Sequence, residues 1–262
     1  MSDPPVSDPP VSASPASASL MPDTSVTPVP PVPQFDVITL FADYFDAFKT
    51  LGVVGRAFKQ GRAVIRFWNP RDFATDAYRT IDDRTYGGGP GMVMMAPPLA
   101  DCIKAIRQAH GEDGRPVIFL TPHGPLLKQR HVQQLSLTAG AILLCGRYEG
   151  VDQRFIDRYV DQTFCIGDFI VSGGELPVQL LLDAWVRLLP GVLNDDLSAQ
   201  QDSFTTERLD CPHYTRPEVF EGETVPEVLL SGNHGKIAGW REKMSQTLTE
   251  KFRPDLLQQK TQ

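Results

Sequence analysis

"AILLCGRYEGVDQRFIDRYV", residues 141–160, passes from strand to loop to helix within one short stretch. The run from Ala141 to Leu144 is continuously apolar, as a strand buried on both faces must be. Gly146 and Gly150 then break it into a loop, and the residues from Val151 to Val160 read as a helix. The same alternation recurs on either side. "FDVITLF" (35–41), "RAVIRFW" (62–68) and "PVIFLTPHG" (116–124) read as strands, and "FCIGDFIVSGGE" (164–175) is strand-like until its paired glycines. Between them, "DYFDAFKTL" (43–51) suits a short helix. In "PPLADCIKAIRQAHG" (97–111), Leu99, Cys102, Ile103 and Ile106 repeat at helical spacing and Gly111 is a natural stop. "LLKQRHVQQLSLTAG" (126–140) and the long apolar "PVQLLLDAWVRLLPGVL" (177–193) complete the series. Strands alternating with helices predict an α/β domain on a largely parallel sheet, whose site lies beyond the carboxyl ends of the strands. Three strand ends carry suggestive loops: "LTPHGP", "CGRYEGVD" and "IGDFIVSGGELP".

The flanks differ from this body. Residues 1–34 hold ten of the 23 prolines, many serines and no lysine or arginine, so a disordered or extended tail is expected. The tail lacks the basic start and apolar stretch of a signal peptide. After the α/β domain (35–192), residues 193–209 are polar and linker-like. Residues 210–262 read as a small, mostly helical domain in which six Lys/Arg stand against three Asp/Glu from His234 onward. The chain as a whole carries −7, which argues against a wholly basic nucleic-acid binder but permits a local positive patch. No apolar run approaches the roughly 20 residues that span a bilayer. The four cysteines form no CxxC pair and read as buried free thiols in a reducing cytosol, so a cytoplasmic protein is expected. No metal ligand set is assigned, although "DCPHY" places Cys211 two residues before His213.

The chemistry narrows by exclusion. "YGGGPGM" (86–92) suggests a phosphate cradle, but Met92, Val93 and Met94 follow where a P-loop needs lysine and Ser/Thr. "CGRYEG" follows a strand yet is not GxGxxG. What the three loops offer is backbone, glycine and apolar side chains, which suits an adenine and ribose held by main-chain bonds. A cationic sulfonium would also tolerate a site without lysine. Read from the residues alone, Asp202 fits a cap of the segment after it, and Arg187 a solvated helix edge.

Taken together, "DDRTYGGGPGMVM", "LLCGRYEGVDQR", "IGDFIVSGGELP", "RLLPGVL", "DSF", "LDCPHYTRPEVFEG" and "VPEVLLSGNH" closely resemble bacterial tRNA (guanine-N1)-methyltransferases of the knotted SpoU–TrmD superfamily. The resemblance runs from about Phe35 to about Arg253, in the family's order. It implies a deep trefoil knot in the C-terminal part of the α/β domain, bent S-adenosylmethionine, and a homodimer with its sites at the interface. It also implies a C-terminal tRNA-binding domain and 1-methylguanosine just 3′ of the anticodon as product. By the same resemblance, cofactor contacts fall on Leu120, Pro122, Gly146, Tyr148, Gly150, Ile166, Gly167, Asp168, Phe169, Ile170, Val171, Gly173 and Gly174. Asp202 matches the catalytic aspartate, Arg187 the arginine that stabilises O6, and Glu149 is a third catalytic match. Asp82 and Arg84 match a segment that approaches the anticodon, Pro90 and Gly91 a wall of the base pocket, and Lys236 and Arg241 phosphate contacts. Magnesium is a further expectation. A ribose 2′-O-methyltransferase or a non-catalytic RNA-binding protein of the same fold are the alternatives. The family departs from this chain at the N-terminal tail, at His123 and Gln201, and after "RPDLL", where members continue through a further helix and tRNA affinity here is expected to be lower.

Overall fold

The computed structural model describes residues 31–111 and 113–258. The tail expected over residues 1–34 lies outside them up to residue 30. Five parallel strands make the central sheet: β1 Gln34–Ile38, β2 Val64–Trp68, β5 Val117–Leu120, β6 Gly140–Leu144 and β7 Gln162–Phe164, in the order β2-β1-β6-β5-β7. Two small hairpins stand apart, β3 Asp82–Asp83 with β4 Val93–Met94 and β8 Val219–Phe220 with β9 Glu223–Thr224. The helices are α1 Gly52–Lys59, α2 Ala96–His110, α3 Gln129–Ser136, α4 Gln153–Tyr159, α5 Glu175–Val186, α6 Asp196–Gln201, α7 Glu227–Leu230, α8 His234–Phe252 and α9 Asp255–Gln258.

The period of two along each strand divides the core into two layers. Phe35, Val37, Ile118, Leu120, Ala141 and Leu143 face α1, α3 and α5, where Trp185 meets the Phe35 ring edge-on at 5.0 Å. Ile38, Val117, Phe119, Ile142 and Leu144 face the Leu99–Ile106 stripe of α2 and Phe155 of α4. Both faces are therefore covered, which is why the strands read as unbroken apolar runs. Asp36, fully buried in β1, is neutralised by Arg115 at 2.7 Å and accepts from the Trp68 indole at 2.7 Å.

Three expectations are corrected here. The strand-like run 164–175 leaves the sheet at Phe164, because its partner β5 ends opposite it at Leu120. Only a bridge from Leu126 to Cys165 continues the pairing, and Phe169 and Ile170 then lie exposed. The apolar helix begins earlier than expected, at Glu175, and ends at Val186, where Leu188 and Leu189 close tight turns before Pro190. Where a short helix is expected over 43–51, the chain forms a 3₁₀ turn at Ala42–Phe45.

Candidate active site

Because β6, β5 and β7 are adjacent and parallel, the loops after Leu144, Leu120 and Phe164 emerge side by side at one end of the sheet. They are tied to one another through the main chain. Thr121 N–H donates to Phe164 O at 2.9 Å, Leu127 N–H to Cys165 O at 2.8 Å, and Gly174 N–H to Gly146 O at 2.8 Å. The last crossing is so close that a Cβ at Gly174 would lie 2.7 Å from Cys145 Cα, so no side chain fits there.

Between these loops lies a cleft of about 540 Å³. Every residue predicted to hold cofactor lines it except Asp168, and Glu149 lines it too. His123, the departure noted in the sequence, is on its wall as well. The lining is mostly main chain, glycine and apolar side chains, with Tyr148 held in the left-handed region at φ 60°.

The sequence reading missed what supports this cleft. Glu175, at the start of α5, is fully buried beneath the loops. It accepts from the Thr39 hydroxyl at 2.8 Å and pairs with Arg147 at 2.7 Å. Arg147 in turn donates to Ser172 O at 3.2 Å and lies over the Phe41 ring at 4.5 Å and the Tyr44 ring at 5.4 Å. One guanidinium thus joins the loop after β6 to the loop before α5. Burial tends to lower the Arg147 pKa, but bonding to Glu175 outweighs it and the guanidinium is held above its ordinary value. Burial, with the Glu175 charge nearby, pushes the Cys145 thiol well up. Both ends of the pair sit in motifs already quoted, but nothing in "GGEL" or "CGRY" announces that they meet.

The glycine-rich loop is the connection of the β3–β4 hairpin. Gly87, Gly88, Gly89 and Gly91 all take positive φ, a path open to few other residues. Glu149 N–H donates to Met92 O at 2.9 Å and Met94 N–H to Gly150 O at 2.9 Å, so the loop is moored to the rim of the cleft. Gly91 faces Glu149 so closely that a Cβ there would overlap its carboxylate. The same hairpin brings Asp82 to Tyr148, whose phenol is raised by burial and by that carboxylate. Arg84 extends into solvent and makes no ion pair among the described residues.

Asp202 and Arg187 stand together but elsewhere. Arg187 caps the C-terminus of α5 and its guanidinium meets the Asp202 carboxylate at 2.5 Å, each about a third exposed. Neither lines the cleft of its own chain. Beyond them, Leu209 N–H donates to Thr249 Oγ1 at 3.0 Å, and Arg208 pairs with Glu242, which seats residues 208–211 on α8. Lys236 and Arg241 are exposed on that helix. Asp210, Cys211 and His213 place their donor atoms within 4.8 Å of one another, but Asp210 is already engaged by the Cys211 N–H and by His213 at 2.9 Å. All four cysteines are free and buried, as expected.

A family model described as tRNA (Guanine-1)-methyltransferase TrmD matches residues 33–259. The chain belongs to that family. Proteins named tRNA (guanine-N(1)-)-methyltransferase are similar to it at high identity. That of Cupriavidus metallidurans is 56% identical over 86% of this chain and 87% of its own length. Those of Cupriavidus necator and Methylobacillus flagellatus are each 55% identical, over 86% of this chain and 88% and 86% of theirs. The resemblance drawn from the motifs is thereby established, and the parallel α/β sheet is the architecture expected for a TrmD-family chain. Among the described residues no helix is long and apolar enough to cross a membrane.

Proposed function

We propose that this tRNA (guanine-N1)-methyltransferase binds S-adenosylmethionine in the 540 Å³ cleft and methylates guanosine 37, using Asp202 as base and Arg187 at O6. The observation that carries the reading is the charge of the two places. In the cleft the Arg147 charge is already matched by Glu175, which leaves the Glu149 carboxylate uncompensated and the lining receptive to a cation. At the other place a carboxylate and a guanidinium lie side by side, as N1–H and O6 do on the edge of guanine.

The bound cofactor supplies a methyl group on a sulfonium, which departs as a neutral thioether. The chain's own residues must make N1 a nucleophile. Asp202 accepts the N1 proton, the freed electron pair forms the bond to the methyl carbon, and Arg187 offsets the negative charge that moves to O6. Glu149, on the cleft rim beside the glycine-rich loop, is placed to hold the base against the cofactor. Pro90 and Gly91 form the adjoining wall. Asp82 and Arg84 lie on the hairpin that leads to the preceding nucleotide. Among the described residues no group of three His, Cys, Asp or Glu ligands gathers at the cleft. Titrating magnesium into the transfer reaction tests whether it is required.

A homodimer unites the two places. Ile170 is 81% exposed beside the cleft, and Leu180 (58%) and Leu176 project from the face of α5 that the sheet does not cover. A second copy packed on this apolar surface can bring its Asp202–Arg187 pair to the first copy's cleft; a monomer by light scattering would refute this. The close crossing at Gly174 supports the trefoil knot, which an experimental chain trace tests. Residues 35–192 then form the methyltransferase domain, 193–209 the connecting segment and 210–262 the tRNA-binding domain. The functional test is transfer of label from S-adenosylmethionine to a tRNA transcript with guanosine at position 37, followed by mapping of the nucleoside. Label at N1 of that guanosine is expected. Label on ribose, or no transfer with cofactor bound, overturns the reading.

A further inference from the structure

Of the 19 residues of α8 only one is buried, and it is a threonine, Thr249. A helix held by packing buries an apolar stripe, so a polar side chain at the point of contact has another task. The Thr249 hydroxyl accepts from the Leu209 N–H at 3.0 Å, and one turn earlier the Ser245 hydroxyl donates to the Leu209 carbonyl at 2.6 Å. Both backbone groups of one residue in the connecting segment are thus held by one face of α8. Thr249 in turn donates to the Ser245 carbonyl at 2.7 Å, which leaves a lone pair of its oxygen for Leu209. Glu242, three residues before Ser245, pairs with Arg208. Arg253, four residues beyond Thr249, lies over the Phe204 ring at 5.4 Å. The spacing 242, 245, 249, 253 is a single helical stripe, and these contacts all fall on residues 204–209.

The stretch so held starts two residues after Asp202 and is closed on itself. Asp210 N–H donates to Ser203 Oγ at 2.9 Å, Phe204 N–H to Arg208 O at 2.6 Å and Thr205 N–H to Asp202 O at 3.3 Å. Phe204 and Glu207 make the turn at positive φ. A loop closed in this way carries Asp202 at one end and the gripped Leu209 at the other. We propose that Ser245 and Thr249 are positioning residues for methyl transfer: by holding the Leu209 peptide they set where the Asp202 carboxylate stands. Hydroxyl-to-peptide bonds fix direction as well as distance, whereas apolar packing would attach the segment and let it slide. The proposal rests on the reading of Asp202 as base, and it asks no tRNA contact of these side chains.

The test measures single-turnover methylation of the guanosine-37 transcript by the full chain, at saturating tRNA and S-adenosylmethionine. Thr249→Val keeps the shape and removes the hydroxyl. It is expected to slow the transfer step by about 10²-fold, the cost of misplacing a catalytic group by about 1 Å, with KM for tRNA and Kd for S-adenosylmethionine at their wild-type values. Thr249→Ser keeps the hydroxyl and is expected to restore the rate. Combined with Asp202→Asn, Thr249→Val is expected to slow the reaction no further, because the group it positions is already gone. If Thr249→Val does not fold, Ser245→Ala carries the same comparison, with an expected loss of about tenfold, because it removes only the bond to the Leu209 carbonyl. A wild-type rate in either variant overturns the proposal, as does a double variant in which the two losses multiply. If Asp202→Asn alone keeps the wild-type rate, the reading of the base falls, and the positioning role falls with it.

Discussion

Replacing Glu175 by glutamine should loosen the 540 Å³ cleft without altering its lining. The substitution keeps the shape and the hydrogen bond from Thr39, but it removes the charge that faces Arg147 at 2.7 Å. Removing one partner of a buried pair costs about 3–5 kcal/mol, because the survivor stays desolvated. Here the Arg147 side chain is 14% exposed and keeps the Ser172 carbonyl and two aromatic faces, so the low end, about 3 kcal/mol, applies. For a chain of this size that is a fall of roughly 6–12 °C in melting temperature. The converse change, Arg147→Ala, should cost more, since it strands a fully buried carboxylate. The double variant Glu175→Gln/Arg147→Met should recover much of the loss, as no buried charge remains. Because Arg147 spans both loops, the single variants should also bind S-adenosylmethionine more weakly, measured by calorimetry alongside thermal unfolding. A Glu175→Gln protein that melts within a degree or two of wild type and binds cofactor equally would refute this reasoning.

Asp202→Asn should retain cofactor affinity and lose turnover by about 10²–10⁴-fold, the range for a general base; undiminished single-turnover rates would remove Asp202 from the mechanism. Gly174→Ala should unfold more easily by about 1–3 kcal/mol and lose cofactor binding, because its Cβ meets backbone at 2.7 Å; a denaturant titration beside calorimetry decides it. Mixing Gly174→Ala with Asp202→Asn should restore about a quarter of the wild-type sites if each site draws on two copies of a homodimer, and nothing if it does not. Cys102, whose thiol is pushed up to about 12 by burial and by the Asp36 and Asp72 charges, should resist alkylation at pH 8 in the folded protein and react on unfolding, as mass spectrometry of the labelled peptides would show.

The fold was legible where burial is simple. β1, β5 and β6 are covered on both faces, so "FDVI", "VIFL" and "AILL" could hardly be anything but strands, and α2 announced itself by one apolar stripe. Legibility failed at the edge of the sheet. "FCIGDFIV" carries the side chains of a strand, but pairing needs a neighbour, and β5 stops opposite Phe164. Strand length there is set by a distant residue, which local pattern cannot report. The apolar side chains that follow, Phe169 and Ile170, lie exposed beside the cleft.

The site divides in the same way. The residues expected to hold cofactor through backbone are marked by glycine and strand ends, and nearly all of them line one cleft. The buried pair beneath that cleft has no such mark. Glu175 lies 28 positions from Arg147 and 136 from Thr39, so its role exists only after folding. A charged residue at the head of an apolar helix is ordinarily a cap or a solvated end. Glu175 differs because Gly174 lets the chain pass against Cys145 and Gly146, carrying the carboxylate inward beneath the loop that holds Arg147. The glycine and the glutamate are therefore one device: the first permits the crossing, and the second binds the crossed loops together. A substitution at either should be felt first at the cofactor.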